Sequence, residues 1–242
     1  MKVLILAGGL GTRFVEETQS KPKPLIEIFN KPLLVHIIEH YSYYGFFDFV
    51  IAGGYKYKMI QNYFQKHLEK IRSKINKNIT VKVVNTGVKT MTGGRILKAS
   101  KFLDTNFFFL TYGDGLSNLD IQKSLINYLR NNSLYQLTAV QPIARFGSLS
   151  IKRNGLVSEF KEKFVGSESW VNGGFFILNK KIINYIKSDQ DIFEVDILPK
   201  ISKQGLLHSY KFKGFWYPVD TIRDKQFLES FNKNSPPWQK YE

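Results

Sequence analysis

The sequence of 242 residues contains no cysteine. Disulfide bonds, thiolate zinc sites and cysteine nucleophiles are excluded at once, and the composition fits a reducing compartment. Histidine is scarce, with four in the whole chain. No apolar run approaches the ~18 residues needed to cross a bilayer, so no membrane partner is expected. The apolar opening before Gly8 is too short for a signal peptide, and Arg13, Glu16 and Glu17 follow it closely. The expectation is a cytoplasmic protein.

Acid is also in short supply. Against 35 Lys+Arg stand 20 Asp+Glu, a formal charge of +15. Ten of these surplus charges fall in residues 51–100, where 11 basic groups face one acidic group, Glu69. No zinc finger, RNP aromatic pattern or other nucleic-acid motif accompanies them, so no nucleic-acid partner is expected. What the chain does have is apolar and aromatic mass: 43% hydrophobic residues, with 20 Phe, 13 Tyr and 3 Trp. Such a chain can offset its ordering entropy by burial, which excludes disorder.

The pattern alternates strand and helix from the first residue. Val3–Leu6 is a buried strand feeding a glycine turn. Leu33, Leu34, Ile37, Ile38, Tyr41 and Tyr44 recur at helical spacing after Pro32, and Gly45 supplies the stop. Strands are expected at 46–52, 79–84, 107–110 and 134–141, and helices at 57–71, 93–103 and 119–130. After about residue 142 the character changes. Residues 148–160 alternate around Asn154-Gly155, a hairpin signal for a type I′ turn. A strand at 175–178, helices at 180–187 and 194–203, a strand at 206–212 and a helix from Thr221 complete the reading. The expectation is one α/β domain over 1–242, with a mixed, mostly parallel sheet flanked by helices. Its two halves are about 1–142 and 143–242, the second carrying a small β-rich elaboration.

Gly8-Gly9-Leu10-Gly11-Thr12-Arg13 directly follows the first strand. It lacks the third glycine of a dinucleotide fingerprint and the Gly-Lys-Ser/Thr of a Walker loop. It still offers backbone N–H groups, a hydroxyl and a guanidinium at a strand's carboxyl end, where open α/β sheets bind ligands. Arg13 can take phosphate bidentately. Lys21-Pro22-Lys23-Pro24 then holds two ammonium groups on a stretch that proline stiffens.

Glycine loop, seven residues, then Lys-Pro-Lys-Pro resembles the signature of the sugar nucleotidyltransferases. The likeness continues in order through Met91-Thr92-Gly93-Gly94-Arg95, Tyr112-Gly113-Asp114-Gly115, Arg145-Phe146-Gly147, Asn172-Gly173-Gly174 and Phe215-Trp216-Tyr217-Pro218-Val219-Asp220. It is greatest to the CTP-using branch that acts on glucose 1-phosphate. The resemblance implies a Rossmann-like nucleotidyltransferase fold. It also implies Mg²⁺-dependent transfer of CMP from CTP to a small phosphorylated acceptor, with release of pyrophosphate. Leu6, Ala7, Gly8, Gly9, Gly11, Thr12 and Met91, Thr92, Gly93, Gly94, Arg95 would bind nucleotide, the backbone of Gly93-Gly94 approaching the base. Arg13 and Lys23 would be catalytic, Lys23 bridging the α-phosphate and the acceptor phosphate. Gly147, Glu162, Lys163, Asn172 and Gly173 would bind the acceptor, and Asp114 and Asp220 the metal. A homo-oligomer is expected from the family. Two departures bear on the acceptor: Glu162-Lys163 is followed by Phe164 where the family usually has Pro, and the stretch between Phe64 and Thr86 is short. Phosphoglutamine is therefore carried as the alternative acceptor, and a nucleotide sensor without catalysis as a further one.

One rival motif comes from another reaction class. His36-Ile37-Ile38-Glu39-His40 fits H-x-x-E-H, the inverted zinc-protease pattern. The core stripe leaves both histidines at or beside the exposed edge of the helix, and no later Glu nominates itself as a third ligand.

Overall fold

The computed structural model describes residues 1–12, 14–142, 148–161 and 169–239. Among these, the chain begins with β1 (Lys2–Ala7), a four-residue helix α1 (Val15–Thr18), and a small pair β2 (Glu27–Ile28) and β3 (Lys31–Pro32) leading into α2 (Leu33–Tyr43). It continues through β4 (Asp48–Gly53), α3 (Tyr57–Lys74), β5 (Thr80–Asn85), α4 (Thr92–Ala99), β6 (Phe107–Tyr112), β7 (Gly115–Ser117), α5 (Ile121–Arg130) and β8 (Tyr135–Val140). The second half adds the hairpin β9 (Ser148–Ile151) and β10 (Val157–Lys161), then β11 (Val171–Asn179), α6 (Leu198–Lys203), β12 (Leu207–Phe212), β13 (Trp216–Pro218) and α7 (Ile222–Glu229).

Seven strands form the main sheet in the order β12-β8-β11-β6-β1-β4-β5. Each neighbouring pair is parallel except the two made by β11, which runs antiparallel to both β6 and β8. This is a Rossmann-like α/β sheet drawn from both halves of the chain. Alternation along β1 explains why it sits at the centre. Val3 and Ile5 face a core built with α2, α3 and α5, whereas Leu4 and Leu6 face a second core under α4 and residues 193–201. A strand buried on both faces must be apolar on both, as this one is.

A third cluster, containing Phe14, Ile26, Ile28, Leu33, Leu116, Val219, Leu228 and Trp238, covers the side of α2 turned away from the sheet. This corrects the expected edge position of the two histidines. His36 and His40 are 5% and 4% exposed, because α2 is covered on both sides. His36 Nε2 lies 3.0 Å from the carbonyl of Ile28 and His40 Nε2 2.7 Å from that of Leu119, while Glu39 pairs with Lys31 at 2.6 Å. The motif's three side chains thus serve three different structural contacts. No group of three metal-ligating side chains occurs among the described residues.

The hairpin also differs in its turn. Gly155 has φ +84°, but Asn154 does not enter the left-handed region that a type I′ turn requires at both central positions. Gly155 N instead donates to Lys152 O and Lys152 N to Leu156 O, a longer loop with one left-handed residue. A left-handed pair does occur elsewhere, at Phe29 and Asn30 between β2 and β3. The helix expected at 194–203 begins as one wide π-helical turn, Phe193–Ile197, and that expected at 180–187 is a 3₁₀ segment, Lys180–Tyr185. No helix among the described residues is long and apolar enough to cross a membrane.

Candidate active site

The glycine turn leaves β1 at its carboxyl end. Leu6, Ala7, Gly9, Gly11 and Thr12 line one wall of a cleft there, and Lys23, Gly113, Asp114 and Asp220 line the other. Gly8 lies beneath this surface rather than on it. Its carbonyl accepts from Arg95 Nη2 at 2.9 Å, and a Cβ at position 8 would fall 2.1 Å from Arg95 Nη1. Only glycine admits that guanidinium. A peptide's C=O and N–H point in opposite directions, so drawing the Gly8 carbonyl inward turns the Gly9 N–H outward.

Lys23 opens a 3₁₀ turn, Lys23–Leu25, between two prolines, with Leu25 N donating to Pro22 O at 2.8 Å. Its ammonium lies 2.6 Å from Asp114 Oδ2 and 2.7 Å from Asp220 Oδ1. Burial pulls the Lys23 pKa down, but the charge of Asp114 and hydrogen bonds to both carboxylates outweigh it and leave the pKa raised.

Two local devices bring the carboxylates together. β7 pairs antiparallel with β13, Gly115 opposite Pro218, and Val219 N donates to Asp114 O at 2.9 Å. The chain segments bearing Asp114 and Asp220 are thereby laid side by side. The second device is the capping box of α7. Thr221 is the N-cap and Asp224 Oδ2 accepts from the backbone N–H groups of Asp220 and Thr221. Since Thr221 caps the helix, the Asp220 side chain is left for Lys23.

Asn172 and Gly173, expected on the acceptor side, lie in β11 where its register with β8 shifts, between Asn172 and Phe176. Asn172 Nδ2 donates to the Tyr112 hydroxyl at 3.4 Å, and Gly173 O accepts from Trp216 Nε1 at 2.7 Å. Met91 is exposed, and Thr92 opens α4. Gly93 and Gly94, expected beside the base, pack against the protein's own chain. The Gly93 N–H donates to Asp191 O at 2.9 Å, and a Cβ on Gly94 would fall 2.3 Å from Asp189 Cα. The approach they permit is made by the protein's own segment 189–191. Arg13, Gly147, Glu162 and Lys163 lie outside the described residues.

Tyr112, Trp216 and Glu194 join this region without having been assigned a role. Tyr112 and Trp216 stand inside motifs that the sequence displays. Glu194 stands in none.

This arrangement of a glycine turn, a proline-held lysine and two facing carboxylates belongs to a known class. The Nucleotidyl transferase family model matches residues 2–233, and the chain belongs to that family. It is a nucleotidyltransferase. It is 41% identical, over the full length of both chains, to the glucose-1-phosphate cytidylyltransferase of Salmonella typhimurium, and 40% identical to that of Salmonella typhi. Among solved structures, HddC from Yersinia pseudotuberculosis superposes with a TM-score of 0.73 at 29% identity, covering 93% of this chain and 96% of that one.

Proposed function

We propose that the protein transfers CMP from CTP to the phosphate of glucose 1-phosphate, forming CDP-glucose and pyrophosphate for surface polysaccharide synthesis in the cytoplasm. The observation that carries this reading is the Lys23 ammonium held between Asp114 and Asp220 at the mouth of the glycine turn. The identity to the Salmonella enzymes supports the choice of nucleotide and acceptor.

In this reaction an acceptor phosphate oxygen forms a bond to the α-phosphorus, and the bond to the bridging oxygen of the β-phosphate breaks. The electron pair leaves with pyrophosphate. The nucleophile is already anionic, so no side chain has to remove a proton. The protein's work is to bring two anions together and to stabilise charge on the α-phosphoryl group. The outward N–H of Gly9 and the hydroxyl of Thr12 receive phosphate oxygens, and Arg13, next in sequence, supplies the guanidinium charge to them. Lys23 spans the two phosphates.

Mg²⁺ fits the residues present. Two carboxylate oxygens already converge on one cation, and hard oxygen donors in that number suit an ion that takes its remaining ligands from phosphates and water. Asp114 and Asp220 would hold it, and it would neutralise phosphate charge. Lys23 would then turn from the carboxylates to the phosphates.

A second reading keeps the chemistry and changes the acceptor to L-glutamine phosphate, because Phe164 stands where the family usually has proline. A homo-oligomer fits the exposed apolar hairpin, where Leu149, Ile151 and Phe160 are 52%, 62% and 61% exposed. The test is pyrophosphate release with four nucleoside triphosphates against a panel of phosphorylated acceptors. Release with CTP and glucose 1-phosphate is expected. Release with UTP or dTTP but not CTP would overturn the nucleotide assignment, and release with no pair would leave a sensor.

A further inference from the structure

We infer that Glu194 is a positioning residue whose carboxylate ties the nucleotide half of the site to the acceptor half. The inference rests on the proposed reading of the two halves, and no motif or family resemblance nominates this residue. It comes from three hydrogen bonds. Glu194 Oε1 accepts from the Tyr112 hydroxyl, Glu194 Oε2 accepts from Thr92 Oγ1 at 2.6 Å, and Thr92 Oγ1 in turn accepts from Phe193 N at 2.8 Å. One carboxylate therefore joins strand β6 to the first residue of helix α4.

Each end of that bridge leads to a substrate half. Tyr112 ends β6 two positions before Asp114. Its hydroxyl receives Asn172 Nδ2, and its ring fills the space over Gly174, where φ is +76° and a Cβ would fall 2.5 Å from ring Cδ2. Movement of Tyr112 thus moves the bulge of β11 that carries the acceptor-side residues. Thr92 opens α4, and Arg95 on that helix holds the Gly8 carbonyl beneath the glycine turn. The route runs from Asn172 through Tyr112, Glu194 and Thr92 to α4 and the glycine turn.

Glu194 is itself held firmly. It occupies the wide π-helical turn Phe193–Ile197, a rare geometry that occurs often at functional sites. Phe193 and Ile197 on either side are fully buried, and Phe193 packs edge-on against Phe176 of β11 at 5.4 Å. No cation among the described residues forms a salt bridge with Glu194, so its charge is met by hydroxyl donors. A carboxylate accepting two hydroxyl bonds makes charge-assisted contacts, stronger than those a neutral side chain would make.

The experiment compares two ligands, one spanning both halves and one confined to the nucleotide half. Calorimetric titration of CDP-glucose and of CMP is carried out on the wild type, Glu194→Ala and Glu194→Gln. Glu194→Ala is expected to weaken CDP-glucose by at least ~10-fold and CMP by less than ~3-fold, with Glu194→Gln recovering much of the loss. A merely structural role would weaken both ligands alike, and an idle residue neither; either result overturns the inference. A wild type that fails to bind CDP-glucose overturns the proposed function, and this inference with it. Glu194→Gln, which preserves shape, keeps the test available should the alanine variant fold poorly.

Discussion

Arg95 donates to the Gly8 carbonyl at 2.9 Å from a guanidinium that has no carboxylate partner among the described residues. Its acceptors are neutral oxygens: Thr86 Oγ1 at 2.6 Å and the carbonyls of Gly87, Val88 and Gly8. Burial lowers the Arg95 pKa from its ordinary value. The cation is thus spent on shaping the turn. Gly8→Ala is expected to expel it and to lower kcat/KM for the nucleotide by ~10-fold or more. Combining Gly8→Ala with Arg95→Ala is expected to cost less than the sum of the two, by about 1 kcal/mol, because both remove one contact. Strict additivity in a double-mutant cycle of kcat/KM would show that the two residues act separately.

Lys23 supplies the second expectation. Lys23→Ala, like Asp114→Asn, should lower kcat by at least ~10²-fold, the scale of one lost electrostatic group in a transition state. Without metal, Lys23→Ala also leaves two facing carboxylates without their cation. A loss of about 1–3 kcal/mol is expected, below the fully buried case because Asp114 is 33% and Asp220 19% exposed. Adding Mg²⁺ should then raise the melting temperature of the variant more than that of the wild type. Equal shifts in both would separate the carboxylates from the metal.

The buried histidines set an acid limit. Desolvation lowers His36 to about 3 and His40 to about 4. Between those values and about 6.5 the unfolded chain binds protons that the folded chain refuses. Stability is therefore full above pH 6.5 and falls as pH drops toward the folded values, at about 1.4 kcal/mol per pH unit for each histidine. At His36 there is a geometric obstacle as well: Nδ1 already faces the Trp238 Nε1–H at 3.4 Å, and a proton there would set donor against donor. Denaturant melts from pH 7.5 to 4.5 should show this slope, and His40→Gln should flatten it. A pH-independent midpoint below 6.5 would mean that neither histidine is buried neutral.

The hairpin yields the mildest expectation. Phe160 is 61% exposed, so Phe160→Ser should change the stability of the monomer by no more than about 0.5 kcal/mol. If the proposed oligomer uses this face, the same substitution should lower the mass seen by light scattering. A large drop in monomer stability would instead mean that the ring is packed.

Much of the fold was readable because strand and helix periods are local. β1, α2, β4, α3 and β6 fall within a few residues of their expected bounds. The contacts of His36 and His40 were not readable, since they include Trp238 and Leu119, which lie 202 and 79 positions away. Gly93 and Gly94 carried a true signal of close approach, but nothing in their spacing said that residues 189–191 make it. Glu194 was silent for the same reason: its partners, Thr92 and Tyr112, lie 102 and 82 positions away.

The pairing of β7 with β13 has a consequence for the order of assembly. Lys23 meets Asp114 across 91 positions of chain and Asp220 across 197. The glycine turn and its lysine can be in place while the ribosome is still at work, but the second carboxylate arrives only when the segment after β12 has emerged. Contacts of such long range bear the loop-closure cost before they return any stability. The lysine's two partners are therefore complete only in one late step rather than by degrees.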